Sequence, residues 1–471
     1  MIHTLLVANN LLFLYYLGIN LIYLILLVAA IYSSSRHQQL LASVRLERMK
    51  ASPFAPPISL LVPAHNEEAN IVESVRSFLA LDYPALEVIV VNDGSEDGTL
   101  EKLVREFHLL RTDLLYVPVV PSRPVRGLYM SQIEPRLLVV DKEAGGCKAD
   151  AINAAFNAAS SPYVLVLDAD SILEQDALIR VMVPILSDPQ RVAAAGGIVR
   201  AVNGSLVEHG QVRQVRLPGK AVEIVQVVEY LRAFLVGREG WSFFNMLMII
   251  SGTFGVFRSD LVKAVGGYRR DAIGEDFDLV TRIHRYMLEQ GKDYRVSYVP
   301  DPVCWTEVPS DWTTLALQRA RWQKGMLNTL WANHDMLFRP RYGRIGALAL
   351  PNLWLYELLA PVIELLGLSS IIAAAILGVL SHEFFVKFLL FGFFFATLIS
   401  VGAVLLEEIT YRRYNDWREM AKLIVFCFLE HFPYRQMHLY WRLQGLWEYM
   451  RGDLAWGKMK RVGFQPAAAG K

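Results

Sequence analysis

Residues 5–32, LLVANNLLFLYYLGINLIYLILLVAAIY, carry no charge, and no other stretch restricts the fold of the chain as much. The segment from Leu11 to Tyr32 is long enough to cross the hydrocarbon core of a bilayer. It is too long for the apolar core of a signal peptide, and no basic segment precedes it. Arg36, Arg45, Arg48 and Lys50 follow, against the single acid Glu47. By the positive-inside rule the chain from residue 36 onward is expected in the cytoplasm and the N-terminus outside.

A second apolar block begins after RPRYGR (339–344) and runs to about residue 407. Residues 345–381 are too long for one perpendicular helix and contain Pro351, Pro361, Glu357 and Glu364, which suggests one span plus a shorter one, or a kinked pair. Residues 384–406 read as a cleaner span. The run 419–431 is followed by Pro433 and the amphipathic 434–450, whose Trp441, Trp447 and Tyr449 suggest an interfacial helix or a last crossing. Basic clusters at 412–422 and 458–461 favour the cytoplasm, and three to five spans are expected in all. The hydrophobic share of 54% and the mean hydropathy of +0.30 fit a chain divided between membrane and water. A net charge of +1 offers no basis for nucleic-acid binding. Cys147, Cys304 and Cys427 are scattered, which fits a reducing compartment and supplies neither a disulfide framework nor a thiolate metal site.

Between the apolar blocks, residues 57–335 read as a water-soluble domain. PISLLVPAHNEE (57–68) is a buried strand and a polar turn, and Ile71, Val75, Phe78 and Leu79 give residues 69–81 helical spacing. LEVIVVNDGSEDGT (86–99) repeats strand and acidic turn, with a helix starting near Thr99. After the helical KADAINAAFNAA (148–159), YVLVLDAD closes another strand on two aspartates. Continuous apolar strands alternating with helices predict an α/β fold with a parallel sheet covered on both faces. Such sheets bind ligands at the carboxyl ends of their strands. Three of those ends are polar here: His65-Asn66-Glu67, Asn92-Asp93-Gly94 and Asp168-Ala169-Asp170.

Each candidate has two readings. Asp93 fits an Asx turn, or an acid that accepts hydrogen bonds from a base or ribose. Asp168 and Asp170 fit an acidic loop, or the hard oxygen ligands of Mg2+ or Mn2+ shared with substrate phosphates. No Walker sequence accompanies them, which argues against a kinase or ATPase. Lys148, after Gly145-Gly146, fits a solvated helix start or a diphosphate counter-charge. Glu275 and Asp276 suit a helix N-terminus electrostatically, and equally a general base. Gln318, Arg321 and Trp322 fall on one side of a helix, as a membrane-interface helix would place them. A sugar site would use the indole to stack on a pyranose and the guanidinium to hold phosphate.

The order of these segments says more than any one of them. PAHNEE, VNDGS, GGCKADAIN, DAD, SGTFG, GED and QRARW, in that succession across 57–335, resemble the family 2 glycosyltransferases, most closely the membrane-embedded processive synthases of cellulose, hyaluronan and poly-N-acetylglucosamine. The resemblance implies a GT-A (Rossmann-like) catalytic domain and an inverting transfer from a UDP-sugar. It implies donor contacts from Ala64, Glu67, Asp93, Lys148, Asp168 and Arg321, and Mg2+ or Mn2+ held by Asp170 with Asp168. Asp276, with Glu275 beside it, would deprotonate the acceptor, and Ser251, Gly252, Thr253, Gln318 and Trp322 would hold it. The domain plan is an N-terminal span (1–35), a basic linker (36–56), the catalytic domain with an interfacial helix at 313–335 (57–335), C-terminal membrane and interfacial helices (336–451) and a cytosolic tail (452–471). The expected function is extension and export of a β-linked polysaccharide at the plasma (inner) membrane. The alternative is transfer of one sugar to a membrane lipid, and a non-catalytic scaffold is the reading from another class. Expected partners are the UDP-sugar, a polysaccharide or lipid acceptor, the bilayer and accessory export subunits. Neither the sugar nor the linkage is encoded in these motifs.

Overall fold

The structure, a computed structural model, describes residues 2–43, 52, 55–208, 210–414 and 416–453. Arg45, Glu47, Arg48 and Lys50, the basic cluster at 458–461 and most of the tail expected at 452–471 lie outside the described residues. The described residues form two compact units. One gathers those within 1–35, 219–243 and 309–459, the other those within 36–218 and 244–308.

The second unit is built on strands β1 (Ile58–Ala64), β2 (Leu86–Asp93), β3 (Leu109–Thr112), β4 (Val125–Ser131), β5 (Leu137–Lys142), β6 (Tyr163–Val166), β7 (Ile172–Leu173), β8 (Val192–Ala201), β9 (Leu206–Glu208), β10 (Gln211–Gln214), β11 (Gly255–Arg258) and β12 (Arg295–Thr306). Ten of them make one sheet in the order β3-β4-β5-β2-β1-β6-β11-β8-β12-β7, while β9 and β10 pair separately. Its centre is parallel: β1 pairs with β2 and β6, and β2 with β5. The expectation of a parallel sheet throughout is corrected on both flanks. β4 runs antiparallel to β5, β3 to β4, and β11 to both β6 and β8. The short 132–136 connection between β4 and β5 permits only a hairpin, because a parallel return needs a crossover of a dozen residues or more. The mixed sheet, with helices such as Lys148–Ala158 packed on β1 and β2, is the expected α/β fold. Burial explains the apolar runs. All ten residues of β8 and six of the seven in β1 are buried.

In the first unit the helix Ile2–Ser43 is 42 residues long, about 60 Å at the α-helical rise. Two helices are long and apolar enough to cross a membrane, Asn9–Leu41 and Phe385–Thr410. The expected kinked pair also appears: Ile345–Leu358 and Ala360–Ile376 meet at 48°. Pro361, in the first turn of the second helix, and the π-helical Leu353–Leu358 before it account for the bend. Among the described residues this gives two spans, below the expected three to five, or three, the lower end of that range, when the bent pair counts as one.

The helix Trp312–Ala332 packs against Tyr434–Met450 in the same unit. Gly445 permits this approach, since a Cβ there would collide with the Ala320 carbonyl oxygen. Trp441 is buried in a cluster with Val222, Val225, Leu315 and Tyr434, so it works as core, whereas Trp447 is exposed. Residues 219–243 and 309–335, which the sequence reading groups with the catalytic domain, belong by packing to the unit of the apolar helices.

Candidate active site

β1, β2, β5 and β6 present their carboxyl ends along one sheet edge. The turns after β1 and β2 are stitched into one surface. The Asn66 N–H donates to Ser95 Oγ (3.0 Å), the Glu96 N–H to Asn66 Oδ1 (2.9 Å) and the Glu67 N–H to Thr99 Oγ1 (3.0 Å). Ala64, expected in the donor site, ends β1 opposite Asn92 and is buried. Gly94 has φ +61, and a Cβ there would lie 2.6 Å from the Ala144 nitrogen. Glycine alone lets the loops after β2 and β5 approach this closely.

Asp93 is buried, and its Oδ1 accepts from Lys142 Nζ (2.5 Å) and from the Gly145 N–H (2.9 Å). Its carboxylate therefore holds the loop after β5. Lys142 was not singled out by the sequence. It is fully buried at the end of β5 and forms a second ion pair with Asp150, 2.7 Å away. Asp150 in turn accepts from the Arg123 N–H (3.1 Å) and pairs with Arg270 (2.9 Å). The only sequence signal for Lys142 is its place at the end of an apolar run, LLVVDK, which parallels the positions of Asp93 and Asp168.

Lys148 is the hub of the second cluster. Its Nζ lies 2.5 Å from Asp168 Oδ1 and 3.6 Å from Glu275 Oε1, and it donates to the Gly252 carbonyl oxygen at 3.0 Å. The Gly252 N–H donates to Asp276 Oδ2 (3.0 Å), and Asp276 Oδ1 accepts the Phe277 N–H (2.8 Å). Ser251 Oγ and Thr253 Oγ1 are hydrogen-bonded at 2.9 Å. Segments far apart in sequence, the start of the Lys148–Ala158 helix, the DAD turn, the SGT loop and the start of the Glu275–Glu289 helix, thus converge on one ammonium. Asp276 fits the electrostatic reading of a helix N-terminus. It accepts an N–H in the first turn of its helix, where such donors lack intrahelical partners, and it stays half-buried.

The electrostatics follow from the enclosure. Burial opposes the Lys148 charge, but Asp168 and then Glu275 outweigh it and its pKa is raised. Burial pushes the Glu275 carboxyl up, with Lys148 pulling against it and Asp276 adding to the rise. Burial likewise pushes up the Cys304 thiol, which lies against the Thr253 carbonyl oxygen, so it is held as an inert thiol.

No group of three or more His, Cys, Asp or Glu side chains arranged to hold a metal occurs among the described residues. Asp168 and the half-buried Asp170 supply hard carboxylate oxygens at the sheet edge. A donor set this sparse fits Mg2+ or Mn2+, which take their remaining ligands from water and substrate phosphates.

Gln318, Arg321 and Trp322 lie on the helix Trp312–Ala332 of the other unit. Arg319, between them in sequence and also missed, organises this stretch. Its guanidinium pairs with Glu229 (2.6 Å), donates to Gln318 Oε1 (2.8 Å) and lies 4.2 Å from the centre of the Trp322 ring. Trp322 is nevertheless 45% exposed.

The family model described as "Glycosyltransferase like family 2" matches residues 130–325, and that described as "Glycosyl transferase family 2" matches 59–117. A poly-beta-1,6-N-acetyl-D-glucosamine synthase of Staphylococcus epidermidis is 26% identical over 390 residues, covering 82% of this chain and 80% of that protein. The synthase of the same name from Staphylococcus aureus (strain COL) is 28% identical over 284 residues, 60% of this chain and 56% of that protein. Among solved structures, a mannosyltransferase of Pyrobaculum calidifontis in complex with GDP-Man and Mn2+ superposes with a TM-score of 0.48 at 22% identity, covering 86% of this chain and 98% of that one. The two family models bracket the strand-end motifs from PAHNEE through QRARW, and the relatives are of the synthase type that the motif order resembles: the chain belongs to the family 2 glycosyltransferases.

Proposed function

We propose that this chain is an inverting glycosyltransferase that uses a UDP-sugar to extend a β-linked polysaccharide and to export it through its membrane helices. The observation that carries the reading is the convergence of Asp168, Glu275 and the Gly252 loop on Lys148, with Asp276 held by the Gly252 N–H. In this reading Asp93, with Ala64 and Glu67 on the neighbouring turn, receives the nucleoside. Lys148 and Arg321 take the diphosphate, and Asp168 contacts the nucleotide-sugar. Asp168 and Asp170 would hold Mg2+ or Mn2+, which supplies positive charge against the leaving diphosphate. Ser251, Gly252, Thr253, Gln318 and Trp322 position the acceptor.

The chemistry is a single displacement. Asp276 takes the proton from an acceptor hydroxyl as that oxygen bonds to the anomeric carbon. The bond from that carbon to the diphosphate oxygen breaks, and the electron pair leaves with UDP. Attack opposite the leaving group turns an α-linked donor into a β-linked product. Burial around Lys148 strengthens its attraction for the diphosphate, since little water intervenes. The names of the relatives make N-acetylglucosamine the first monomer to try. The catalytic unit is assigned to the cytoplasmic side of the plasma (inner) membrane, with the N-terminus outside and accessory export subunits as candidate partners.

The test is the purified chain in nanodiscs with Mg2+ and Mn2+, offered a panel of radiolabelled UDP-sugars without added acceptor. High-molecular-weight product from one donor establishes the polymerase and identifies its monomer. A single small lipid-soluble product replaces it with a glycolipid transferase. If no donor binds or reacts, even with membrane lipid extract added, the enzymatic reading falls.

A further inference from the structure

Two strands from Asp93, at the same sheet edge, the chain between β3 and β4 forms a second feature that the proposed chemistry does not use. Leu110, Leu114, Leu115, Val117 and Val119 are 57%, 49%, 88%, 52% and 45% exposed. Slack in the loop does not explain this. Asn157 pins the segment, accepting the Val119 and Val120 N–H groups at 2.9 Å each and donating to the Val120 carbonyl oxygen, and Val120 itself is buried. The leucines therefore face outward from a backbone that is held in place.

Beside them lies a cavity of about 430 Å³ whose lining includes Arg111, Arg123 and Arg126, with Asp113 as its one acid. Elsewhere in this unit arginines meet carboxylates: Arg76 with Glu73 at 2.9 Å, Arg136 with Glu134 at 2.8 Å, Arg258 with Asp260 at 2.7 Å. Among the described residues no carboxylate lies within ion-pair distance of Arg111, Arg123 or Arg126. The Arg111 guanidinium reaches only the Arg126 carbonyl oxygen, at 3.0 Å. Outward aliphatic side chains beside unneutralised guanidiniums are what an anionic lipid surface complements, because the first group enters the acyl boundary while the second meets headgroup phosphates. A protein partner would satisfy the aliphatic residues alone equally well. The excess positive charge favours lipid.

We propose that this 110–126 face is a docking surface for an anionic bilayer, in which the leucines and valines enter the interface and Arg111, Arg123 and Arg126 bind lipid phosphate. Docking of this kind holds the carboxyl edge of the sheet at the membrane surface, and the Arg123 N–H bond to Asp150 ties the docked loop to the network around Asp93.

The experiment uses the full chain, one copy per nanodisc, in discs of phosphatidylcholine alone and in discs containing phosphatidylglycerol. Hydrogen exchange is followed at the amides of residues 113–117. The expected result is exchange slowed by about tenfold or more in the anionic discs, relieved by added salt and lost in the combined Arg111→Gln, Arg123→Gln and Arg126→Gln variant. Leu115→Asp should relieve it with all three arginines in place. All four side chains are exposed, so an unchanged thermal transition is the folding control. Equal exchange in the two lipids overturns the proposal. So does protection conferred by inorganic pyrophosphate regardless of lipid, which would make the cavity a site for a free phosphate ligand.

Discussion

Lys142 and Lys148 stand six positions apart, and each is surrounded by carboxylates, yet the two environments differ in one respect. Lys142 has no exposed side-chain surface, and its partners Asp93 and Asp150 are nearly or fully enclosed with it. The Lys148 side chain keeps 16% exposure and its partner Asp168 keeps 24%. A closed pair has its charges satisfied by protein alone, so its work is to hold Asp93 and the 143–147 loop in place. An open pair can exchange a partner, and an incoming diphosphate can compete with Asp168 for the ammonium. The same residue type thus forms a scaffold at one site and a binding group at the other, and access to solvent separates them.

The comparison can be tested in order of expected effect. Asp276→Asn, on the open side, should lower sugar transfer by about 10²–10⁴-fold while UDP binding by calorimetry persists. Unchanged turnover would remove Asp276 from the mechanism. Lys148→Gln should cost about 10²–10³-fold in kcat/KM with a modest change in the unfolding temperature, because Asp168 is open to water. Lys142→Met should do the reverse. It leaves buried Asp93 without its cation and Asp150 with Arg270 alone, and loss of one partner from such a pair costs about 3–5 kcal/mol, to be read from thermal or denaturant unfolding in detergent. If Lys142→Met unfolds normally while Lys148→Gln does not, the two assignments are exchanged.

Trp322→Ala should weaken acceptor use by about 1–3 kcal/mol, by analogy with bases stacked on aromatic side chains, and should spare donor hydrolysis. Equal loss of both would deny Trp322 an acceptor role. The smallest effect concerns pH. The native pKa of Glu275 is raised above its ordinary value of 4.5. The native state therefore binds more protons than the unfolded chain just above that value. The Glu275 contribution to stability is complete below it and is lost as pH rises through the raised native pKa. Over that window the unfolding temperature of the native chain should fall, by a few degrees at most, relative to Glu275→Gln. Parallel curves for the two would contradict the raised pKa.

The open cluster was legible in the sequence because each member marks an element boundary: Asp168 and Asp170 where an apolar strand ends, Lys148, Glu275 and Asp276 where helices begin. Of the closed network only Asp93, also at a strand end, was. Lys142 reads as the start of a turn, Asp150 and Arg270 as ordinary charges, and nothing local states that three loops bring them together. Arg319 was hidden for the same reason, since its partner Glu229 lies 90 positions away. The apolar Ala221–Leu231 helix reads as core, but of which unit is a matter of packing.

By itself the sequence determined which segments are apolar enough for a bilayer and which alternate as strand and helix. It also placed the acidic residues at strand ends, because hydrophobic periodicity and turn chemistry act over a few residues. Only the tertiary structure decided that β4 and β11 run antiparallel, that Trp441 is core while Trp447 is exposed, and which lysine is sealed and which is open. Strand direction, burial and charge pairing depend on contacts between residues distant along the chain, and no local pattern encodes them.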